Sequence, residues 1–215
     1  MTTETPGIEN IAIVGMSGRF PMAANVEDFW RNIKDGKECI STFDLNDLDI
    51  TPNPDAYGDG SSFVAAKGVL EDVEYFDAKF WGYTPKEAEL IDPQQRIFLE
   101  CAWEALENAG YDAQRYDGAI GVYAGCYVDT YLLWNLASNP GFIADLVESI
   151  QVGSLQTELG NDKDYIATRA AFHALLVDLV GDLIRRRKAG RFLVAATNDQ
   201  RTDTVFKRTE GAGGL

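Results

Sequence analysis

Apolar positions along the chain come in runs and in helical spacings, and the two predict different elements. Asn10–Gly15 (NIAIVG) and Ala119–Gly125 (AIGVYAG) are short continuous apolar runs closed by glycine, the pattern of a strand covered on both faces in a parallel sheet. Asn25 precedes a segment whose Phe29, Trp30 and Ile33 share one face at helical spacing, and Gly36 is placed to supply a left-handed stop,. Thr84-Pro85-Lys86-Glu87 and Asp92-Pro93-Gln94-Gln95 each set a capping residue, a proline at the first helical position and an acid or amide at the third. They predict two successive helix starts. The second helix is expected to run to about Ala109, before Gly110,. Its Arg96, Glu100, Glu104 and Glu107 form one narrow polar stripe, so most of its circumference, including Leu99, Trp103 and Leu106, is expected to be buried,.

Further along, Asn161 or Asp162 is placed to cap a short helix through Ala170,. Leu175, Leu176, Leu179, Val180, Leu183 and Ile184 then make an apolar helical face, with Asp178 and Asp182 early and Arg185 to Lys188 late, as the helix dipole favours,. Gly190 ends that helix, and Arg191–Ala196 (RFLVAA) reads as another buried strand,. Residues 44–62 collect Asp, Asn, Pro, Gly and Ser and read as an acidic surface excursion,. Strands alternating with helices predict an α/β architecture. No repeat at solenoid spacing and no low-complexity tract interrupts it,.

At 215 residues and 46% hydrophobic content the chain can bury a core without disulfide or metal staples,. Its charge is uneven. Residues 1–170 hold 11 Lys and Arg against 29 Asp and Glu, whereas residues 171–215 hold 8 against 5, within a net charge of -15. A field of that sign repels phosphate backbones and anionic membrane surfaces, so neither nucleic acid nor a membrane is an expected partner. Cys39, Cys101 and Cys126 are an odd, widely spaced set without CxxC, which argues against a disulfide framework or a zinc knuckle,. With no apolar stretch of spanning length, the expected compartment is the cytoplasm,.

Candidate chemistry is sparse. The chain has a single imidazole, His173, which removes most acid–base schemes. Gly15-Met16-Ser17-Gly18 lacks both the GxSxG spacing of a nucleophile elbow and the features of a phosphate loop, and reads as a tight structural turn,. Asp44, Asn46, Asp47 and Asp49 imitate a calcium loop, but Leu48 stands at a ligand position and the turn glycine is missing,. Cys126 directly follows a predicted strand, where a nucleophile can be presented. It has no cation nearby in sequence, which favours a small packing residue,. The basic run Arg185 to Arg191 is explained by the helix end,. No catalytic, cofactor-binding or metal-binding set is complete.

Ile11–Pro21 (IAIVGMSGRFP) resembles the opening strand and turn of the β-ketoacyl synthase domains of modular polyketide synthases. Asn25–Ser41, Phe76–Phe80, Asp92–Gly110 (DPQQRIFLECAWEALENAG), Ile120–Tyr127 (IGVYAGCY) and Gly160–Arg169 (GNDKDYIATR) are similar to that family in order and spacing. The resemblance implies a partial thiolase-like α/β fold, the amino-terminal half, with a buried mixed or parallel sheet flanked by helices. It also implies a decarboxylative Claisen condensation of acyl and malonyl-type thioesters carried on the phosphopantetheine arm of an acyl carrier protein. No cofactor is expected on the chain itself. The implied partners are the carrier protein, other polyketide synthase domains and a second copy in a homodimer.

The family reaction needs a cysteine at a helix start and two histidines. After Ala167-Thr168-Arg169 the family reaches an ACSS-like turn, whereas Ala170-Ala171-Phe172-His173 runs directly towards a helix here, and no cysteine follows Cys126. The single histidine, His173, matches neither family histidine motif. Leu175–Ala196 resembles the helix and strand that follow the nucleophile, and Thr204–Gly213 (TVFKRTEGAG) a family loop, so the tail is either the product of a deletion with drift or replacement sequence. The expected division is a tail over 1–7, a partial β-ketoacyl synthase N-terminal domain over 8–170 and a divergent or rearranged segment over 171–215. The expectation is a truncated or degenerate ketosynthase, first in its polypeptide, inactive and poorly soluble alone. The alternatives are a non-catalytic partner or dimerisation module and an independent enzyme using Cys126.

Overall fold

Side-chain caps set most of the helices of the computed structural model, which describes residues 11–44, 64–113, 115–127 and 130–175. Asn25 Oδ1 accepts from the Asp28 amide and starts helix α1, Val26–Lys34; Gly36, at φ 61°, follows its end. Thr84 and Glu87 form a reciprocal capping box at the start of α2, Pro85–Leu90. Asp92 accepts from the Gln94 amide and starts α3, Pro93–Ala109, which stops at Gly110 with φ 71°. Each of these three starts lies where the sequence pattern puts it, because a cap acts within one turn of itself.

After α3 come a π-helical stretch, Tyr131–Leu136, then α4, Pro140–Gln151, and α5, Gln156–Asn161. A 3₁₀ turn, Lys163–Tyr165, leads into α6, Ile166–Leu175. Asp162, of the two candidates, supplies the cap: its carboxylate accepts from the Asp164 amide, while Asn161 closes α5. The helix expected over 175–184 and the strand expected over 191–196 lie outside the described residues, as do the acidic excursion beyond Asp44 and Asn10 of the first predicted strand.

Sheet content is low among the described residues. Among the described residues the pairing is limited to β1, Ser41–Thr42, antiparallel to β2, Ala66–Lys67. Ile11–Gly15 is unpaired and its first four residues are exposed, Ile11 by 82% and Ile13 by 66%, while Gly15 lies close against Ala105 and Ala109 of α3. Ala119–Gly125 is also unpaired, although it keeps the alternation of a strand: Val122, Ala124 and, just beyond, Cys126 pack inward while Tyr123 points out. The reason is non-local. An apolar run makes both faces of a strand buriable, but a ladder needs a second strand alongside.

What holds the described residues together is α3. Leu99, Phe98 and Trp81 form a core with Ile166 and Ala170 of α6, and Ile97 and Cys101 form a smaller one with Leu70. Part of the polar stripe of α3 is covered too, although Glu107 stays exposed. Arg96 is buried, and its Nε has no partner among the described residues. The segment after Gly15 lies along the middle of the stripe: Arg19 ion-pairs with Glu104 at 2.9 Å and Glu100 at 3.5 Å, and Ser17 Oγ donates to Glu104. This glycine segment is therefore a structural strap rather than the tight turn expected, since no turn is formed over residues 15–18.

Candidate functional site

The residues that chemistry singles out converge on the first turn of α3. Its cap, Asp92, is itself held by its amide donating to the Gly160 carbonyl at 2.9 Å. A Cβ on Gly160 would lie 2.7 Å from the Leu90 carbonyl oxygen, so only glycine permits that approach,. Asn161, fully buried, donates through Nδ2 to the carbonyls of Leu90 and Thr157. Gln94 and Gln95 then face opposite ways. Gln94 Oε1 accepts from the Tyr127 amide at 3.0 Å, which fixes the backbone next to Cys126. Gln95 Nε2 donates to the Asp162 carbonyl and its Oε1 accepts from Arg169 Nε at 2.9 Å. Two buried amide side chains thus tie α3 to the 119–127 segment and to the start of α6.

Arg169 extends this network. Beyond Gln95 it donates to the Leu159 carbonyl through Nη2 and to Tyr83 Oη through Nη1, 2.6 Å away. Its guanidinium carbon lies 5.6 Å from the centre of the Tyr83 ring. Tyr83 Oη in turn lies 2.6 Å from His173 Nε2. Burial, then the neighbouring Arg169 charge, pushes the His173 imidazole below its ordinary pKa. His173 meets Trp81 edge-on, and Trp81 belongs to the apolar core against which Cys126 also packs.

The sequence-selected residues are therefore distributed as follows. Cys126 is half-buried against the core, the setting of a packing residue,. Cys101 is buried, and burial pushes its thiol up to about 11, so it stays protonated at neutral pH. Ser17 is engaged with Glu104, on the strap over α3. Asp44 is described, but Asn46, Asp47 and Asp49 are not. Among the described residues no group of three or more His, Cys, Asp and Glu is placed to hold a metal ion. No described helix is long and apolar enough to cross a membrane.

Sequence reasoning did not find the Gln95–Arg169–Tyr83–His173 chain. Its members lie up to 90 residues apart, and no spacing rule links them. The one local signal was the double glutamine after Asp92-Pro93, where a helix surface would more often carry a charge.

Residues 8–176 match the family model described as the β-ketoacyl synthase N-terminal domain. Over 159 residues the chain is 43% identical to a component of the phenolphthiocerol/phthiocerol polyketide synthase of Mycobacterium tuberculosis, covering 74% of this chain and 11% of that protein. It is 34% identical over 218 residues to the pikromycin polyketide synthase component PikAII of Streptomyces venezuelae, covering 96% of this chain and 6% of that one. Among solved structures, the oxazolomycin ketosynthase domain OzmH KS7 of Streptomyces albus JA3453 is similar with a TM-score of 0.57 at 28% identity, covering 86% of this chain and 28% of the other. The ketosynthase from module 6 of the bacillaene synthase of Bacillus subtilis 168 gives 0.54 at 30% identity, covering 76% and 23%. The chain thus spans about a tenth or less of these curated relatives and about a quarter of these ketosynthase structures. The expected α/β class, thiolase-like and partial, stands on these structural neighbours.

Proposed function

The chain belongs to the β-ketoacyl synthase family, and on that premise we propose that it is the amino-terminal part of a polyketide synthase ketosynthase that does not condense by itself. The full reaction is a decarboxylative Claisen condensation: an acyl group moves to a cysteine, and a malonyl-type thioester loses CO₂ and attacks it. It requires a thiolate and imidazoles to stabilise the developing charge. No cysteine follows Cys126, and the sole histidine is His173. The observation that carries the reading is the engagement of that histidine: its Nε2 is held by Tyr83 at 2.6 Å.

In this reading the substrates ride on the phosphopantetheine arm of an acyl carrier protein, the partners are that carrier and the other synthase domains, and the compartment is the cytoplasm. Residues 8–170 are the partial domain, 171–215 a divergent continuation and 1–7 a tail. Coverage of 96% by the pikromycin component supports divergence over replacement, since it leaves too few residues uncovered to exclude the 45 beyond position 170. The test is to incubate the chain with acyl- and malonyl-pantetheine thioesters and follow intact mass and product. No acyl adduct and no β-keto product are expected; an adduct on Cys126 or a condensed product would overturn the reading.

A second reading, a non-catalytic partner or dimerisation module that seats on an intact ketosynthase or on another copy, is favoured by two outward apolar faces. Helix α1 exposes Trp30 and Ile33, and α4 exposes Ile143, Val147 and Ile150 at i, i+4 and i+7,. Mixing with an intact ketosynthase on a size-exclusion column distinguishes the two readings, since an unchanged elution removes the partner role.

A further inference from the structure

The single imidazole shares a phenolic oxygen with a guanidinium. Arg169 Nη1 and His173 Nε2 each lie 2.6 Å from the same phenolic oxygen of Tyr83. A guanidinium only donates, so the oxygen accepts from Arg169 and the hydroxyl hydrogen is left for the imidazole. With that hydrogen donated to it, His173 Nε2 would be the bare nitrogen and the ring proton would sit on Nδ1. Among the described residues, the groups facing the ring are Trp81 and Tyr83 from the segment before α2, and Arg169 and Phe172 from α6. Among the described residues no carboxylate ion-pairs or hydrogen-bonds with it.

We propose that Arg169, Tyr83 and His173 form a proton-sensitive clasp: neutral His173 ties α6 to the segment carrying Trp81 and Tyr83, and protonation at Nε2 loosens that tie. A proton on Nε2 turns an acceptor into a donor against an oxygen already receiving Arg169, and strands the phenol hydrogen. It also places a second cation beside the first with no acid between them. The arrangement has a defined sign. The folded imidazole lies below its ordinary 6.5, so the unfolded chain takes up the proton first as pH falls,. The contribution is fully present above 6.5 and is lost as pH drops from there towards the folded value. This device does not depend on the ketosynthase reading, because it uses no substrate.

With one histidine in the chain, ring-nitrogen NMR of the full-length protein reads it without assignment. The Nδ1–H tautomer is expected at neutral pH, with a titration midpoint below 6.5. Amide exchange over 166–173, corrected for its intrinsic pH dependence, is expected to rise on the order of tenfold through the same titration. Tyr83→Phe moves the midpoint upward by removing the donor to Nε2. His173→Gln keeps an acceptor in place of Nε2 but does not titrate, so the pH-dependent rise in exchange disappears. An Nε2–H tautomer, a midpoint at or above 6.5, or a His173→Gln chain with unchanged pH dependence would each overturn the clasp. Should Tyr83→Phe fail to fold, the wild-type titration and His173→Gln still decide.

Discussion

Helices α3 and α1 both start on a side-chain cap and stop near a left-handed glycine, yet α3 buries nine of its residues and α1 none. Both helices carry large apolar side chains: Phe98 and Leu99 in one, Phe29, Trp30 and Ile33 in the other. The difference lies in the neighbours. α3 is enclosed by the strap after Gly15, the 119–127 segment and α6. α1 gains a stacked contact between Phe29 and Phe20, with ring centres 4.1 Å apart, and leaves Trp30 and Ile33 outward. Caps decide where a helix begins and ends, whereas burial depends on what other segments come to lie against it.

The largest effect expected from this contrast is at Leu99, 2% exposed in the centre of the core. Leu99→Ala should cost about 2–5 kcal/mol in a denaturant melt, whereas Ile33→Ala should stay within about 0.5 kcal/mol. Equal losses at the two positions would show that α1 is covered and break the comparison. Next comes Gly160→Ala, which sets a methyl against the Leu90 carbonyl and forces α5 away from the end of α2. A loss of about 1–3 kcal/mol is expected, accompanied by faster exchange of the Asp92 amide that Gly160 holds,.

Smaller effects separate the caps. Asp92→Ala should lower global stability by about 1–2 kcal/mol, because its cap feeds the enclosed helix,. Asn25→Ala should instead fray α1, with faster amide exchange there and an unmoved global midpoint. The smallest concerns Glu87, whose carboxyl is held below its ordinary 4.5 by hydrogen bonds from the Thr84 amide and hydroxyl. The contribution is present above 4.5 and declines as pH falls below it,. Thr84→Val should raise the Glu87 midpoint in a carboxyl NMR titration while leaving the midpoint of unfolding at neutral pH nearly in place. A Glu87 midpoint that did not move would remove the role assigned to the Thr84 hydroxyl.

Much of the helical skeleton was legible in the sequence because its signals are short-range. Asn25, Thr84-Pro85 and Asp92-Pro93 each satisfy amides within their own first turn, and Gly110 releases the chain at the other end,. The family was legible from the order of several motifs, of which Asp92–Gly110 is the longest. The strands were misread for the opposite reason. Ile11–Gly15 and Ala119–Gly125 have suitable side chains, but pairing depends on a partner that no local pattern specifies, and only the alternation around Val122 and Ala124 survives. The candidate site escaped notice because Tyr83, Gln95, Arg169 and His173 are ordinary residues until α6 folds back on α3.

Helix boundaries, net charge and the lack of a second imidazole or a later cysteine follow from the residues themselves, since each is a local or additive property of the chain. Whether an apolar face is covered, whether an extended run joins a sheet, and which groups meet the His173 ring are settled by contacts between segments far apart in sequence. Desolvation and hydrogen bonding act across space, so those properties exist only once the chain has packed.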